Sequence, residues 1–96
     1  MKILGYNYKL NYKAKKDMYN LGACEGTLLK IDIRKKQSPQ QTQSTVLHEM
    51  IHALSYHLHL ELDEKQVMGL ESGLYQALTD NGVDLSPLVK ELADNE

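Results

Sequence analysis

Ser38-Pro39-Gln40-Gln41-Thr42-Gln43-Ser44-Thr45-Val46-Leu47-His48-Glu49-Met50-Ile51-His52-Ala53-Leu54-Ser55-Tyr56-His57-Leu58 reads as one long helix. Ser38 can cap it, Pro39 suits the first helical position, and Gln41 stands where a capping box closes onto Ser38. Val46, Leu47, Met50, Ile51, Ala53, Leu54 and Leu58 give a wide apolar face, as expected of a helix enclosed by its domain. The helix is assigned to 38–59. Downstream, Asp63 is the next N-cap, with Gln66 three residues on. The second helix, 63–80, carries Val67, Leu70, Leu74 and Leu78 at helical spacing and stops before Asp80-Asn81-Gly82. Ser86-Pro87 opens a short last helix, 86–94.

Upstream, the pattern changes to period two. Residues 3–13 place Tyr6, Tyr8, Leu10 and Tyr12 on one face and Asn7, Lys9, Asn11 and Lys13 on the other, which predicts a half-buried strand. A charged break follows at Lys13 to Asp17. Met18 to Gly22 fits either a short strand or a turn. Gly22 to Gly26 reads as a turn that holds Cys24. From Thr27 to Lys35 the alternation returns, with Leu29, Ile31 and Ile33 on one side and Lys30, Asp32 and Arg34 on the other. Strands in 1–36 followed by helices argue for an α+β fold.

Ninety-six residues make one domain. With 42% hydrophobic and 25% charged residues, the chain is neither disordered nor low in complexity. A net charge of −2, from 11 basic and 13 acidic residues, gives no broad cationic field for nucleic acid. The lysine-rich stretches at 13–16 and 34–36 are too short to change that. The single Cys24 cannot form an internal disulfide, which suits a reducing cytosol. No apolar run is long enough for a membrane span, and the amino terminus lacks the features of a signal peptide. Six tyrosines with no Phe or Trp imply an aliphatic core edged by half-buried rings.

Within the long helix, His48-Glu49-Met50-Ile51-His52 is an HExxH motif. Residues four apart lie one turn above each other, so both imidazoles can reach one metal ion. Glu49 lies about 100° round the helix, beside the ion, where a carboxylate can take a proton from an activated water. With this composition the three fixed positions coincide in about 1% of shuffled chains, and apolar neighbours on both sides place the triplet in a core-forming helix. The plain alternative is two solvent-facing histidines and an unrelated glutamate.

A catalytic zinc needs a third protein ligand. The three-histidine version of the motif wants Gly and His where Ser55 and Leu58 stand, so it fails. His57 and His59 have the wrong offsets and read as polar residues of a helix end. A glutamate from the second helix remains: Glu61, Glu64 and Glu71 are available, and Glu64 and Glu71, seven apart, share a face. Spacing alone does not separate these two.

The segment from Thr45 to Leu54, with Asp63-Glu64-Lys65-Gln66-Val67 and Gly73-Leu74-Tyr75-Gln76-Ala77-Leu78-Thr79-Asp80-Asn81, resembles small phage and prophage zinc metallopeptidases. These form a minimal zincin group related to the ImmA/IrrE class, which cleaves phage or stress-response repressors. The resemblance extends to Ile3-Leu4-Gly5, Ile31-Asp32 and Ser38-Pro39. It implies a minimal gluzincin: about three antiparallel strands packed on the HExxH helix, with the second helix supplying the third ligand. It implies one Zn²⁺ per chain on His48, His52 and Glu64, with Glu71 as the second choice, and Glu49 as general base. The pattern has an acidic residue where Met68 stands, a position from which a carboxylate would orient a ligating histidine; Glu71 is the candidate replacement. It further implies a protein or peptide substrate such as a phage or host regulator, a cytoplasmic location in a bacterial host, and a monomer or weak oligomer with no nucleic-acid or membrane partner.

In minimal zincins an edge strand holds the substrate by β-augmentation. The matching strand here is Thr27–Arg34, with Leu29, Lys30, Ile31, Asp32 and Ile33 along it; its lysines and arginine equally suit a protected sheet edge. Candidates for an oxyanion donor or for support of the ligands are Tyr56, Tyr75, His57 and His59. Cys24 is either a metal-facing thiol or an inert buried one. Readings from other classes are a non-catalytic zinc-binding module and a metal-free protein-interaction module.

Overall fold

Helix α1, Pro39–Leu58, lies across a four-stranded sheet, and helix α2, Glu64–Asp80, packs on α1 from the side away from the core strands. The computed structural model describes residues 1–94. Six short strands complete the fold: β1 Lys2–Ile3, β2 Tyr6–Asn7, β3 Lys9–Lys13, β4 Gly22–Glu25, β5 Lys30–Arg34 and β6 Ala93–Asp94. The fold is α+β, as expected.

The sheet is mixed, with strand order β4-β5-β3-β6, and not a three-stranded antiparallel one. β3 and β5 run parallel in register from Lys9↔Lys30 to Lys13↔Arg34, because the chain between them crosses over and lays β4 on the far side of β5. β4 pairs antiparallel with β5 from Gly22↔Ile33 to Glu25↔Lys30. The expected edge strand is therefore interior: Leu29 precedes β5, and Lys30, Ile31, Asp32 and Ile33 are flanked by β4 and β3. The edge beside α1 is β4, so Cys24 belongs to a strand and not to a turn.

Three residues in the left-handed region break the alternating runs. Leu4 (φ 52°) and Gly5 (φ 83°) turn the amino terminus into a hairpin of β1 and β2, so 3–13 is not one strand. Leu29 (φ 52°) ends a 3₁₀ turn at Gly26–Leu28 and delays β5 to Lys30. The expected helix at 86–94 is a 3₁₀ turn, Ser86–Val89, after which Ala93 and Asp94 return to pair parallel with Asn11 and Tyr12. Asn95 and Glu96, the end of the assigned domain, lie outside the described residues.

The principal core is aliphatic plus one tyrosine: Ile3, Tyr8, Leu10, Ile31, Ile33, Val46 and Ala53. A second cluster, Leu47, Ile51 and Val67 with Leu62 and Tyr75 against it, joins the two helices. Val67 is fully buried and is the residue through which α2 is anchored. Ser38 Oγ accepts from the Gln41 amide at 3.1 Å, but the Gln41 side chain runs on to Thr45 Oγ1, leaving that capping box half closed. At α2 the box closes fully, with Gln66 N–H donating to Asp63 Oδ1 at 2.8 Å and Asp63 N–H to Gln66 Oε1 at 2.9 Å. Among the described residues, no helix is long and apolar enough to cross a membrane.

Candidate metal centre

Helical spacing stacks His48 and His52 on one side of α1, with ring centroids 5.0 Å apart. What meets them depends on the turn at the end of the helix. His59 caps α1 in the left-handed conformation (φ 54°), its amide donating to the Ser55 and Tyr56 carbonyls. Ser55, buried, holds the next residues twice: Leu60 N–H donates to its carbonyl and Leu62 N–H to its Oγ, each at 3.0 Å. Glu61 (φ 55°) completes the reversal. From the Asp63 cap, α2 then runs back along α1, with Val67 fixing its rotation and Glu64 and Glu71 both turned towards the histidines.

The two carboxylates meet different atoms. Glu64 Oε1 is 2.6 Å from His48 Nε2 and its Oε2 is 3.1 Å from His52 Nε2. Glu71 Oε1 is 2.7 Å from His48 Nδ1, on the other side of that ring, and Glu71 Oε2 accepts from Ser44 Oγ. One ligand atom from each of His48, His52 and Glu64 lies within 4.8 Å of the others, and these residues could hold a metal ion. Two ligand atoms at ~2.0–2.1 Å from one tetrahedral ion stand roughly 3.3 Å apart; the contacts of Glu64 with the two imidazoles, 2.6 and 3.1 Å, fall short of that, and Glu64 stands at the exposed first turn of α2, where it can shift. Two imidazole Nε2 atoms and a carboxylate are a donor set that suits zinc. Glu71, the second choice for ligand, stands outside this cluster. Cys24 does too.

Glu49 points from α1 towards β4 and is 5% exposed. Its carboxylate is accommodated because position 22 is glycine: a Cβ there would lie 2.9 Å from Glu49 Oε2 and 2.8 Å from Thr45 Cγ2. Desolvation pushes the Glu49 carboxyl up to about 7, opposed by His48 and assisted by the charges of Glu64 and Glu71. Burial works to lower the His48 pKa, but the Glu71 hydrogen bond and the charges of Glu49, Glu64 and Glu71 outweigh it, and the net direction is up. Burial, with Glu49 nearby, pushes the Cys24 thiol up to about 11; the Tyr8 hydroxyl is hydrogen-bonded to it. A protonated thiol is a poor ligand and nucleophile.

His48, Glu49, His52 and Cys24 line one cavity of about 960 Å³, bounded by Asn20–Cys24 and Gly26 on one wall, α1 in the floor, and Glu64, Met68, Glu71 and Ser72 on the other. Tyr56 stands at its rim, half exposed, its ring laid over Gly26, where a Cβ would come within 2.4 Å of the ring. Tyr75 does not line the cavity. It packs on the Leu47–Ile51–Val67 cluster, one turn beyond Glu71, and its role is structural. His57 is turned away as well: it stacks on Tyr6 at 4.1 Å and its Nε2 is hydrogen-bonded to the Tyr8 hydroxyl at 2.7 Å. His59 is a helix cap.

Sequence reasoning missed Ser44, Gly22 and the Leu21–Cys24 wall. Ser44 had a readable signal, since it precedes His48 by one helical turn; the wall depends on sheet order, for which the chain offers no local sign. Compared with known protein families, curated proteins and solved structures, the chain matches none of them.

Proposed function

We propose that this protein is a zinc-dependent peptidase of minimal gluzincin type, with zinc held by His48, His52 and Glu64 and with Glu49 as general base. The observation that carries the reading is the convergence, in one open cavity, of two Nε2 atoms and the Glu64 carboxylate, with a second, buried carboxylate, Glu49, beside them. A bound Zn²⁺ would supply Lewis-acid activation of a water and polarisation of a carbonyl. Glu49 would take a proton from the attacking water and return it to the departing amine. Burial holds this carboxyl near neutrality in the metal-free site, and the charge of a bound dication would lower it towards the ionised form a base needs. Gly22 keeps the base free of side-chain cover on its strand side.

The free edge of β4 offers an extended peptide a line of backbone groups along the cavity wall, taking the place foreseen for β5. The substrate on this reading is a segment of a protein, such as a phage or host regulator, and the protein acts in the cytoplasm of a bacterial host. Those last attributes follow from the resemblance of the HExxH and Gly73–Asn81 segments.

The test is a survey of new amino termini in a bacterial lysate incubated with zinc-loaded protein, beside Glu49→Gln. Termini produced by the parent, absent with the variant and suppressed by chelator, are expected. Identical profiles for parent and variant overturn the peptidase reading and leave a zinc-binding module.

A further inference from the structure

We propose that Glu71, held by Ser44, is a positioning residue that fixes His48 in the Nδ1–H tautomer and so keeps Nε2 as the ligating atom. The inference rests on the metal-site reading above and assigns the two glutamates of α2 separate duties: Glu64 serves the ion, Glu71 serves a ligand of the ion.

The geometry supporting it is local and complete. Both oxygens of Glu71 are engaged, Oε1 with His48 Nδ1 at 2.7 Å and Oε2 with the Ser44 hydroxyl. Neither ring nor carboxylate is much exposed, with side-chain accessibilities of 15% for His48 and 16% for Glu71. Among the described residues no lysine or arginine pairs with Glu71, so its charge is directed at this imidazole. An ionised carboxylate only accepts hydrogen bonds, and His48 has one on each side, so a neutral ring keeps its proton on the nitrogen that faces the better-held of the two. Glu71 is 16% exposed and tied to Ser44, whereas Glu64, 2.6 Å from Nε2, is 61% exposed at the first turn of α2 and free to turn away, which leaves the lone pair on Nε2, the atom in the cluster with His52. Ser44, Glu71 and His48 thus form a chain in which one helix orients the carboxylate and the carboxylate orients the ring.

The arrangement is one-sided. His52 meets Glu64 through Nε2, and no hydrogen bond to its Nδ1 is found among the described residues. The pair therefore consists of one ligand locked before an ion arrives and one that is locked by the ion. A carboxylate behind a ligating imidazole also raises its basicity, and removing such a partner typically lowers metal affinity 10–100-fold.

Two measurements test this. In metal-free protein at about pH 9, above the ordinary histidine range, long-range ¹H–¹⁵N spectra report the tautomer of each ring. His48 is expected as Nδ1–H in the parent and in Glu71→Gln, whose amide oxygen can still accept, and as a mixture or the Nε2–H form in Glu71→Ala. Competition titration with zinc is expected to show a loss of roughly 10–100-fold for Glu71→Ala and a smaller one for Glu71→Gln. Should Glu71→Ala fail to fold, Ser44→Ala, which frees the carboxylate without removing it, is expected to weaken zinc binding severalfold and to blur the His48 tautomer. An Nε2–H His48 in the parent overturns the proposal, as does a parent-like zinc affinity in Glu71→Ala. A parent that binds no zinc overturns the metal-site reading instead, and the tautomer spectra separate the two failures.

Discussion

Replacing Glu49 by glutamine should make the metal-free protein more stable, by an amount that grows from about pH 4 and levels off above about pH 7. The carboxyl is 5% exposed and its pKa is pushed up to about 7 by burial, against about 4.3 in an unfolded chain. The folded state therefore holds this proton more tightly than the unfolded state does. By linkage, the associated stability is full below about pH 4 and is lost as pH rises through 7, where the ionised carboxylate must be kept in a desolvated site. At 1.36 kcal/mol per pH unit, a difference of roughly 2.7 units corresponds to about 3.5 kcal/mol. Glutamine has the same shape and no charge to desolvate, so it removes that penalty. Urea unfolding in the presence of chelator at pH 5 and pH 8 is the assay. The variant is expected to gain up to about 3.5 kcal/mol over the parent at pH 8 and about 1 kcal/mol at pH 5, where the unfolded carboxyl is already largely ionised. For a domain of this size that corresponds to a rise in Tm of about 10 °C or more. The raised His48 pKa gives the parent a further decline of stability with rising pH, smaller in the variant because Glu49 is one of the charges that raise it. A Glu49→Gln protein that differs from the parent equally at the two pH values refutes the reasoning, because the cost would then not lie in ionisation.

Further outcomes follow from the same packing. Val67→Ala removes the fully buried anchor of α2 and is expected to cost about 2–3 kcal/mol in denaturant unfolding; zinc affinity should fall with it, since Glu64 rides on the same helix. Gly22→Ala would place a methyl 2.9 Å from Glu49 Oε2 and 2.8 Å from Thr45 Cγ2, displacing the base or the strand, and is expected to lower stability by about 1–3 kcal/mol and abolish peptide cleavage. Gly73→Ala, in contrast, meets nothing within 4 Å on α2 and should raise the unfolding midpoint by the equivalent of about 0.5–1 kcal/mol.

The two long helices were legible because their signals are local. Ser38, Pro39 and Asp63 mark helix starts within three residues of the bonds they make, and the spacing of His48 and His52 is a property of α1 alone. The sheet was not legible to the same degree. Its order depends on which strands meet across the chain, and the parallel pairing of β3 with β5 and the return of Ala93 and Asp94 beside β3 leave no periodic trace. Leu4 and Leu29 adopt left-handed backbone with side chains that ordinarily avoid it, so the alternating pattern ran through both breaks unmarked. Glu64 and Glu71 could not be separated by spacing because both do face α1. They differ only in which nitrogen of His48 they reach, and that is set by the Ser55-held turn and by the depth of Val67 in the interface.

The most direct measurement is the zinc content of protein purified without chelator or immobilised metal, set beside His52→Ala and Glu64→Gln. About one zinc per chain in the parent, with most of it lost in both variants, is the expected result. A parent that carries no zinc and takes up none at neutral pH contradicts the account, and the HExxH face of α1 would then be a surface for a protein partner.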